Sequence, residues 1–138
     1  GQILAGPIYQ DAHVQITAVP VHHGTWPYAF AYRVVTTDRT ILVTGDYAPP
    51  VDAIIAACNG CDVLVSEGYP SHLADGPRAG YMHSFHTSAV ELGELATRAH
   101  AKSIVVTHRR SHTDDVVLAE IRRNYAGPVL LANDLDRI

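Results

Sequence analysis

The sequence predicts an α/β fold, because a segment rich in strand signals is followed by alternating helix and strand patterns. Apolar, β-branched runs predict strands at residues 14–21, 30–36 and 40–44, and the turn at 37–39 joins the last two into a hairpin. From residue 49 onward, helical periodicity alternates with short apolar runs. Alternation of this kind is typical of helices packed in layers on a sheet.

The second part of the sequence supplies the helices. Pro49-Pro50 predicts the start of a helix, because first-turn N–H groups have no partner within a helix in any case. Ser88 and Glu91 form a capping-box pattern. Residues 68–86 lack periodicity and predict a long loop of the functional or mobile kind. The predicted elements are helix 51–57, strand 62–66, helix 88–99, strand 103–107, helix 114–125 and strand 129–131.

Length and composition fit one compact domain or a large piece of one. The 138 residues are 47% hydrophobic, which is enough apolar material for a core. No apolar run approaches the roughly 18–20 residues that span a bilayer, so no membrane association is expected. The first residue is Gly rather than Met, and we expect a longer parent protein. We expect that protein to be cytoplasmic.

The two cysteines form a single C-x-x-C. Cys58 and Cys61 flank Asn59-Gly60, which predicts a turn between a helix and a strand. We expect two small buried residues there. A redox motif or part of a zinc site is the alternative, although the sequence has no second cysteine pair.

Polar residues with metal-binding chemistry follow four of the predicted strands. His23 follows the first strand, Asp46 the third, Glu67 the fourth and His108 the fifth. Each alone is more often a turn, cap or surface residue. In α/β sheets, however, ligands gather at the carboxyl ends of the strands. Imidazole and carboxylate together are the donors that suit zinc, so the joint pattern predicts a divalent metal site.

Six short motifs, all in the same order, resemble ribonuclease Z and its relatives in the metallo-β-lactamase superfamily. The resemblance covers residues 14–134. It implies a four-layer αβ/βα sandwich of which this chain supplies the C-terminal half, as a single partial domain over residues 1–138. The motifs are V-P-V-H-H-G at 19–24 followed by Y-A-F-A-Y-R at 28–33, G-D at 45–46, V-L-V-S-E at 63–67, H-T-S at 86–88, V-T-H at 106–108 and A-N-D at 132–134.

The resemblance implies a dinuclear metal site. His23 and His108 would bind different metal ions, and Asp46 would bridge them. We expect zinc, with manganese as the alternative. His22 competes with His23 for the first role, because adjacent residues of a strand point to opposite faces. We choose His23 because it directly precedes Gly24.

The resemblance also implies two catalytic residues. His86 would donate a proton to the leaving group, and Glu67 would orient the imidazole and favour its charged form. His83 is a further candidate for substrate contact. Arg109 and Arg110 could hold an anionic substrate group, but a solvated loop explains them equally well.

The family signature H-x-H-x-D-H, which carries most of the metal ligands, does not occur in the sequence. We therefore expect a metal-dependent hydrolase in the complete protein and no efficient activity in this chain alone. The bond attacked would be a phosphodiester, a sulfate ester or a lactone. A non-catalytic binding or assembly module is the alternative. A nucleotide-binding domain finds no support, because no glycine-rich phosphate loop is present.

The charge pattern bears on the substrate. The net charge is −4, and the basic residues form no cluster of the kind that nucleic-acid surfaces carry. We therefore expect a small-molecule ester as the substrate in preference to RNA. A homo-oligomer is compatible with the sequence.

Overall fold

The structure is a computed structural model that describes residues 5–109 and 113–137. In this part of the chain, seven strands form one sheet in sequence order, with helices between the later strands. The strands are β1 (Gly6–Gln10), β2 (Val14–Pro20), β3 (Phe30–Thr36), β4 (Thr40–Val43), β5 (Val63–Ser66), β6 (Ile104–Val106) and β7 (Val129–Leu131). The α-helices are α1 (Asp52–Cys58), α2 (Ala79–Phe85), α3 (Ala89–Arg98) and α4 (Asp114–Ile121), and a 3₁₀ helix spans Ser71–Ala74.

The sheet changes character at β4. Strands β1 to β4 are antiparallel neighbours, whereas β4 to β7 run parallel. Short turns join β1 to β2 and β3 to β4, and the longer loop 21–29 joins β2 to β3. Parallel strands need a long crossover connection, and α1, α3 and α4 provide those crossovers. The α/β prediction is confirmed, and its strands and its three sheet-packing helices are present with small shifts at their ends.

Two segments differ from the sequence-based expectation, residues 6–10 and residues 68–86. The structure has a strand, β1, that was not predicted, and it has the 3₁₀ helix and α2 where a loop was expected at 68–86. Strand β1 is largely exposed and pairs with β2 through an irregularity between Pro7 and Tyr9. Helix α2 buries no residue. Both segments therefore lack the apolar periodicity that reveals an amphipathic element.

The hydrophobic core lies between the sheet and the crossover helices. Leu42, Leu64 and Ile104 are fully buried on the helix-facing side of the sheet. Helices α3 and α4 approach closely at Gly93, where an added Cβ would lie 2.6 Å from the carbonyl oxygen of Ile121. Other members of the core are Ile54, Leu92, Leu95, Val106, Val117 and Ile121.

The opposite face of the sheet carries an apolar row, which we define as Tyr32, Val43, Val65, Val105 and Leu130. These residues are successive partners across β3 to β7. Val43 is 38% exposed and Leu130 is 40% exposed. This face is therefore only partly covered within the described residues.

The two cysteines form a disulfide bond between the end of α1 and the segment before β5. Both side chains are buried, as expected. The disulfide bond itself was not predicted; the turn at Asn59-Gly60 brings the two Cα atoms to 4.7 Å. Both turn residues have positive φ, which closes the chain tightly enough for the bond.

Candidate metal centre

The carboxyl ends of the parallel strands carry the proposed metal-binding side chains. Asp46 follows β4, Glu67 follows β5 and His108 follows β6. Because these strands are parallel neighbours, the three residues lie at one edge of the sheet. His86, between α2 and α3, joins them, and one potential ligand atom from each of the four lies within 4.8 Å of the others.

The distances within this cluster suit a cation. The Asp46 Oδ2 atom lies 3.4 Å from His108 Nε2 and 3.9 Å from His86 Nδ1. These separations exceed those of ordinary hydrogen bonds, so Asp46 is not hydrogen-bonded to either imidazole. A carboxylate and imidazoles at this spacing fit a divalent ion such as zinc.

The backbone at His108 is unusual for a residue that is not glycine. Its φ is 51°, in the left-handed region. That conformation costs roughly 1–2 kcal/mol for an ordinary residue. The chain adopts it directly after β6, where the imidazole joins the cluster, and strain of this kind concentrates at functional sites.

His23 lies beside the cluster rather than within it. Its ring centroid is 5.8 Å from that of His86. Its Nδ1 atom lies 2.7 Å from the carbonyl oxygen of Phe85. Because a carbonyl only accepts, Nδ1 must carry the proton, which leaves the lone pair on Nε2 for a metal. His22 is exposed and its backbone pairs with that of Ala48 instead.

Gly24 fixes the loop that carries His23 against the end of α2. Its N–H donates to the carbonyl of Ser84 at 2.7 Å. Its φ is 56°, and an added Cβ would lie 2.2 Å from the Phe85 ring. Both the backbone conformation and the contact therefore require glycine at this position.

Glu67 and His86 form a hydrogen-bonded pair, with 2.7 Å between Glu67 Oε2 and His86 Nδ1. Glu67 is only 3% exposed, and its other oxygen accepts from the N–H of Tyr47 at 2.9 Å. Burial raises the pKa of Glu67 to about 8, against the opposing effect of that N–H. Burial likewise lowers the pKa of His86, although the charge of Asp46 opposes it. Burial thus favours the neutral form of both Glu67 and His86. This effect opposes the expected stabilisation of a charged imidazole by Glu67.

Arg109 is a structural residue rather than a free cation. Its guanidinium is bound to both oxygens of Asp114, at 2.5 and 2.6 Å, and to the carbonyls of Leu131 and Ala132. These partners occupy its terminal nitrogens, so neither a role in holding a substrate anion nor a place in a solvated loop is supported by its contacts. His83 is exposed on α2 and does not line the cavity beside the cluster. Arg110 lies outside the described residues.

A cavity of about 440 Å³ opens beside the cluster and reaches Glu67, His86 and His108. Arg78 and Tyr81 also line it, and neither belongs to a motif that the sequence analysis selected. Both lie in or next to α2, whose lack of a buried face hides it from pattern analysis. The sequence contains no local signal that could have identified them.

The fold and the site together define a class. The family model of the beta-lactamase superfamily domain matches residues 5–109, so the chain belongs to this superfamily. The predicted resemblance is thereby confirmed.

The chain is also similar to individual members of the superfamily. Over 100 residues it is 34% identical to the ribonuclease Z of Methanosarcina mazei, a match that covers 70% of this chain and 31% of the relative. The metallo-beta-lactamase fold protein YhfI from Bacillus subtilis has a similar fold, with a TM-score of 0.72 and 24% identity over 92% of this chain and 49% of that one. The short form of human tRNase Z matches with a TM-score of 0.67 and 21% identity over 94% of this chain and 44% of that one. The chain thus spans about a third of that curated relative and about half of these solved structures.

The relatives overturn one expectation. A small-molecule ester was expected in preference to RNA because the sequence lacks a basic cluster, whereas the relatives that match it are ribonucleases Z. The match covers about a third of these relatives, and the charge of such a piece is a poor guide to the substrate of a whole protein. Within the described residues, no helix has both the length and the apolar character needed to cross a membrane.

Proposed function

We propose that the complete protein is a metal-dependent phosphodiesterase that hydrolyses RNA. The observation that carries the proposal is the convergence of Asp46, Glu67, His86 and His108 at one edge of the sheet, within 4.8 Å of one another. The match to ribonuclease Z relatives supports RNA as the substrate class.

The metal ligands in this proposal are His23, Asp46 and His108. Asp46 Oδ2 lies 3.4 Å from His108 Nε2 and would be the carboxylate shared between two ions, while His23 keeps its Nε2 available for one of them. We propose two divalent ions, zinc in preference to manganese. When bound, they would supply a water of lowered pKa and polarise the phosphoryl oxygens. The remaining ligands would come from other parts of the protein.

Glu67 and His86 act as a proton-transfer pair in this proposal. The Nδ1 atom of His86 is held by Glu67, which fixes the imidazole and leaves Nε2 for exchange with the substrate. The Tyr47 N–H holds Glu67 in turn, so the pair is anchored to the backbone. His86 would protonate the departing oxygen of the cleaved phosphodiester.

The experiment uses the complete protein loaded with zinc or with manganese. Turnover is measured on bis(p-nitrophenyl) phosphate and on a short oligoribonucleotide. We expect hydrolysis of both, and an Asp46→Asn variant should lose at least roughly 100-fold in kcat/KM. Asp75→Asn, which removes an exposed carboxylate elsewhere, serves as the matched control.

Two outcomes contradict the proposal. Absence of turnover on both substrates with either metal favours a non-catalytic member of the fold. Turnover that survives Asp46→Asn at the control level shows that the chemistry occurs at another site.

A further inference from the structure

The cavity beside the cluster has the size and position of a substrate subsite. Its volume of about 440 Å³ lies near the lower end of the roughly 300–1,000 Å³ typical of small-ligand pockets. The 3₁₀ helix and α2 contribute one wall, and His108, Arg109 and Thr113 contribute another. A single nucleotide unit suits this volume, whereas a folded RNA would have to lie outside it.

Arg78 supplies positive charge to this cavity. Within residues 5–109 and 113–137, its guanidinium has no hydrogen bond and no ion pair, whereas Asp114 neutralises Arg109. Glu67, His86 and His108 of the cluster line the same cavity. A guanidinium without a partner in the described residues is suited to bind an anionic group of a ligand that reaches from the cluster into the cavity.

The cavity wall also has aromatic and apolar surface. Tyr81 is 54% exposed and stacks on Phe85 with the ring centroids 4.7 Å apart. Tyr69 is only 9% exposed, and its hydroxyl is buried with no hydrogen-bond partner in the described structure. Burial raises the pKa of Tyr69 to about 12, so the hydroxyl stays a donor at neutral pH. An exposed aromatic ring of this kind suits contact with a nucleotide base.

We propose that this cavity binds the nucleotide next to the scissile phosphate, with Arg78 holding the adjacent phosphate and Tyr81 contacting the base. The proposal rests on the proposed function, because it assigns the substrate orientation at that same site. It makes Arg78 a specificity residue that selects ligands with a second phosphate.

Binding rather than turnover tests the subsite. The complete zinc-loaded protein is titrated by calorimetry with adenosine 3′,5′-bisphosphate and with adenosine 5′-monophosphate. We expect the bisphosphate to bind roughly tenfold more tightly, and Arg78→Gln to remove that preference. Arg123→Gln changes an exposed arginine beyond the far end of α4 and should keep it.

The base contact has its own comparison. Tyr81→Ala should reduce the preference for adenosine 5′-monophosphate over ribose 5-phosphate, whereas Tyr81→Phe, which keeps the aromatic ring, should retain it. The subsite proposal is wrong if the native protein does not bind the bisphosphate more tightly than the monophosphate, or if the Arg78→Gln variant keeps that difference. RNA hydrolysis is measured separately. If the ligand-binding preferences are observed but RNA is not hydrolysed, only the proposed function is overturned. If RNA is hydrolysed but the binding preferences are absent, only the subsite proposal is overturned.

Discussion

His22 and His23 are adjacent in sequence but differ in their surroundings. His23 is fixed by its hydrogen bond to the Phe85 carbonyl and lies beside His86, whereas the side chain of His22 is exposed. In the complete protein, we expect His23→Ala to lower metal affinity by roughly 10–100-fold or more, because an aligned ligand is lost. His22→Ala should retain native affinity. Metal content after dialysis against a graded chelator measures both.

This pair of variants also tests the choice made from the sequence. If His22→Ala loses metal and His23→Ala does not, the ligand assignment must be exchanged. If neither variant changes the metal content, the loop at residues 21–24 has no part in the metal site.

Gly24 offers a second test at the residue scale. An alanine there must adopt positive φ and must displace the Phe85 ring, so we expect Gly24→Ala to lower the free energy of unfolding by about 1–3 kcal/mol. Gly76 has open space around it and provides the control, since Gly76→Ala should change stability by less than about 0.5 kcal/mol. Urea denaturation of the complete protein gives both values. Equal stabilities for the two variants would show that the loop adjusts freely.

Among the elements, α3 and α2 show what sequence patterns can predict. Helix α3 has the capping box of Ser88 and Glu91, and it buries one face against the sheet, so both its start and its type were predictable. Helix α2 has neither a side-chain cap nor a buried residue. Its position depends on contacts with the neighbouring 3₁₀ helix and with the His23 loop, which is about 60 residues away in sequence. Single-sequence patterns carry no information on such contacts.

Asp62 links three strands at the edge opposite the metal site. Its carboxylate accepts from the Thr40 N–H and from Lys102, each at 2.7 Å. The hydrogen bond from Lys102, followed by that from Thr40, lowers the pKa of Asp62 below 3.8. Because the folded-state pKa is depressed, this contribution to stability is present above the unfolded-state pKa and is lost as the pH falls through the folded-state value.

We therefore expect Asp62→Asn to lower Tm at neutral pH, and the difference from the native protein to shrink as the pH falls below 3.8. Thermal unfolding at a series of pH values measures this. Asp75→Asn controls for the loss of an exposed carboxylate. A Tm difference that does not depend on pH would assign the effect to packing instead of charge.

At the scale of the whole molecule, the clustering of the candidate site residues was easier to predict from the sequence than the substrate class. Asp46, Glu67 and His108 follow predicted strands, and the topology of a parallel sheet was enough to bring them together. The position of Arg78 and the pairing of Cys58 with Cys61 depend on tertiary contacts and turn geometry instead. The net charge of this chain led to the wrong substrate class, because the charge of one segment is a poor predictor of what a protein binds.

The number of ligands limits what this chain can do by itself. The three metal ligands proposed in the described residues, His23, Asp46 and His108, are too few for two zinc ions, since each zinc takes about four ligands. We expect the isolated 138-residue chain to bind at most one zinc ion, weakly, and to hydrolyse phosphodiesters inefficiently. Calorimetry with metal analysis measures the stoichiometry. Tight binding of two zinc ions would contradict the ligand assignment.

The apolar row on the sheet face opposite the helices has a consequence for colloidal behaviour. A net charge of −4 gives molecules of this size only modest mutual repulsion, and salt screens it within about 10 Å at 0.1 M. The partly exposed Val43 and Leu130 provide a short-range apolar attraction between molecules. As the salt concentration rises, the electrostatic repulsion weakens and this attraction becomes dominant. The isolated chain should therefore be most dispersed in dilute buffer at alkaline pH, where its negative charge is greatest.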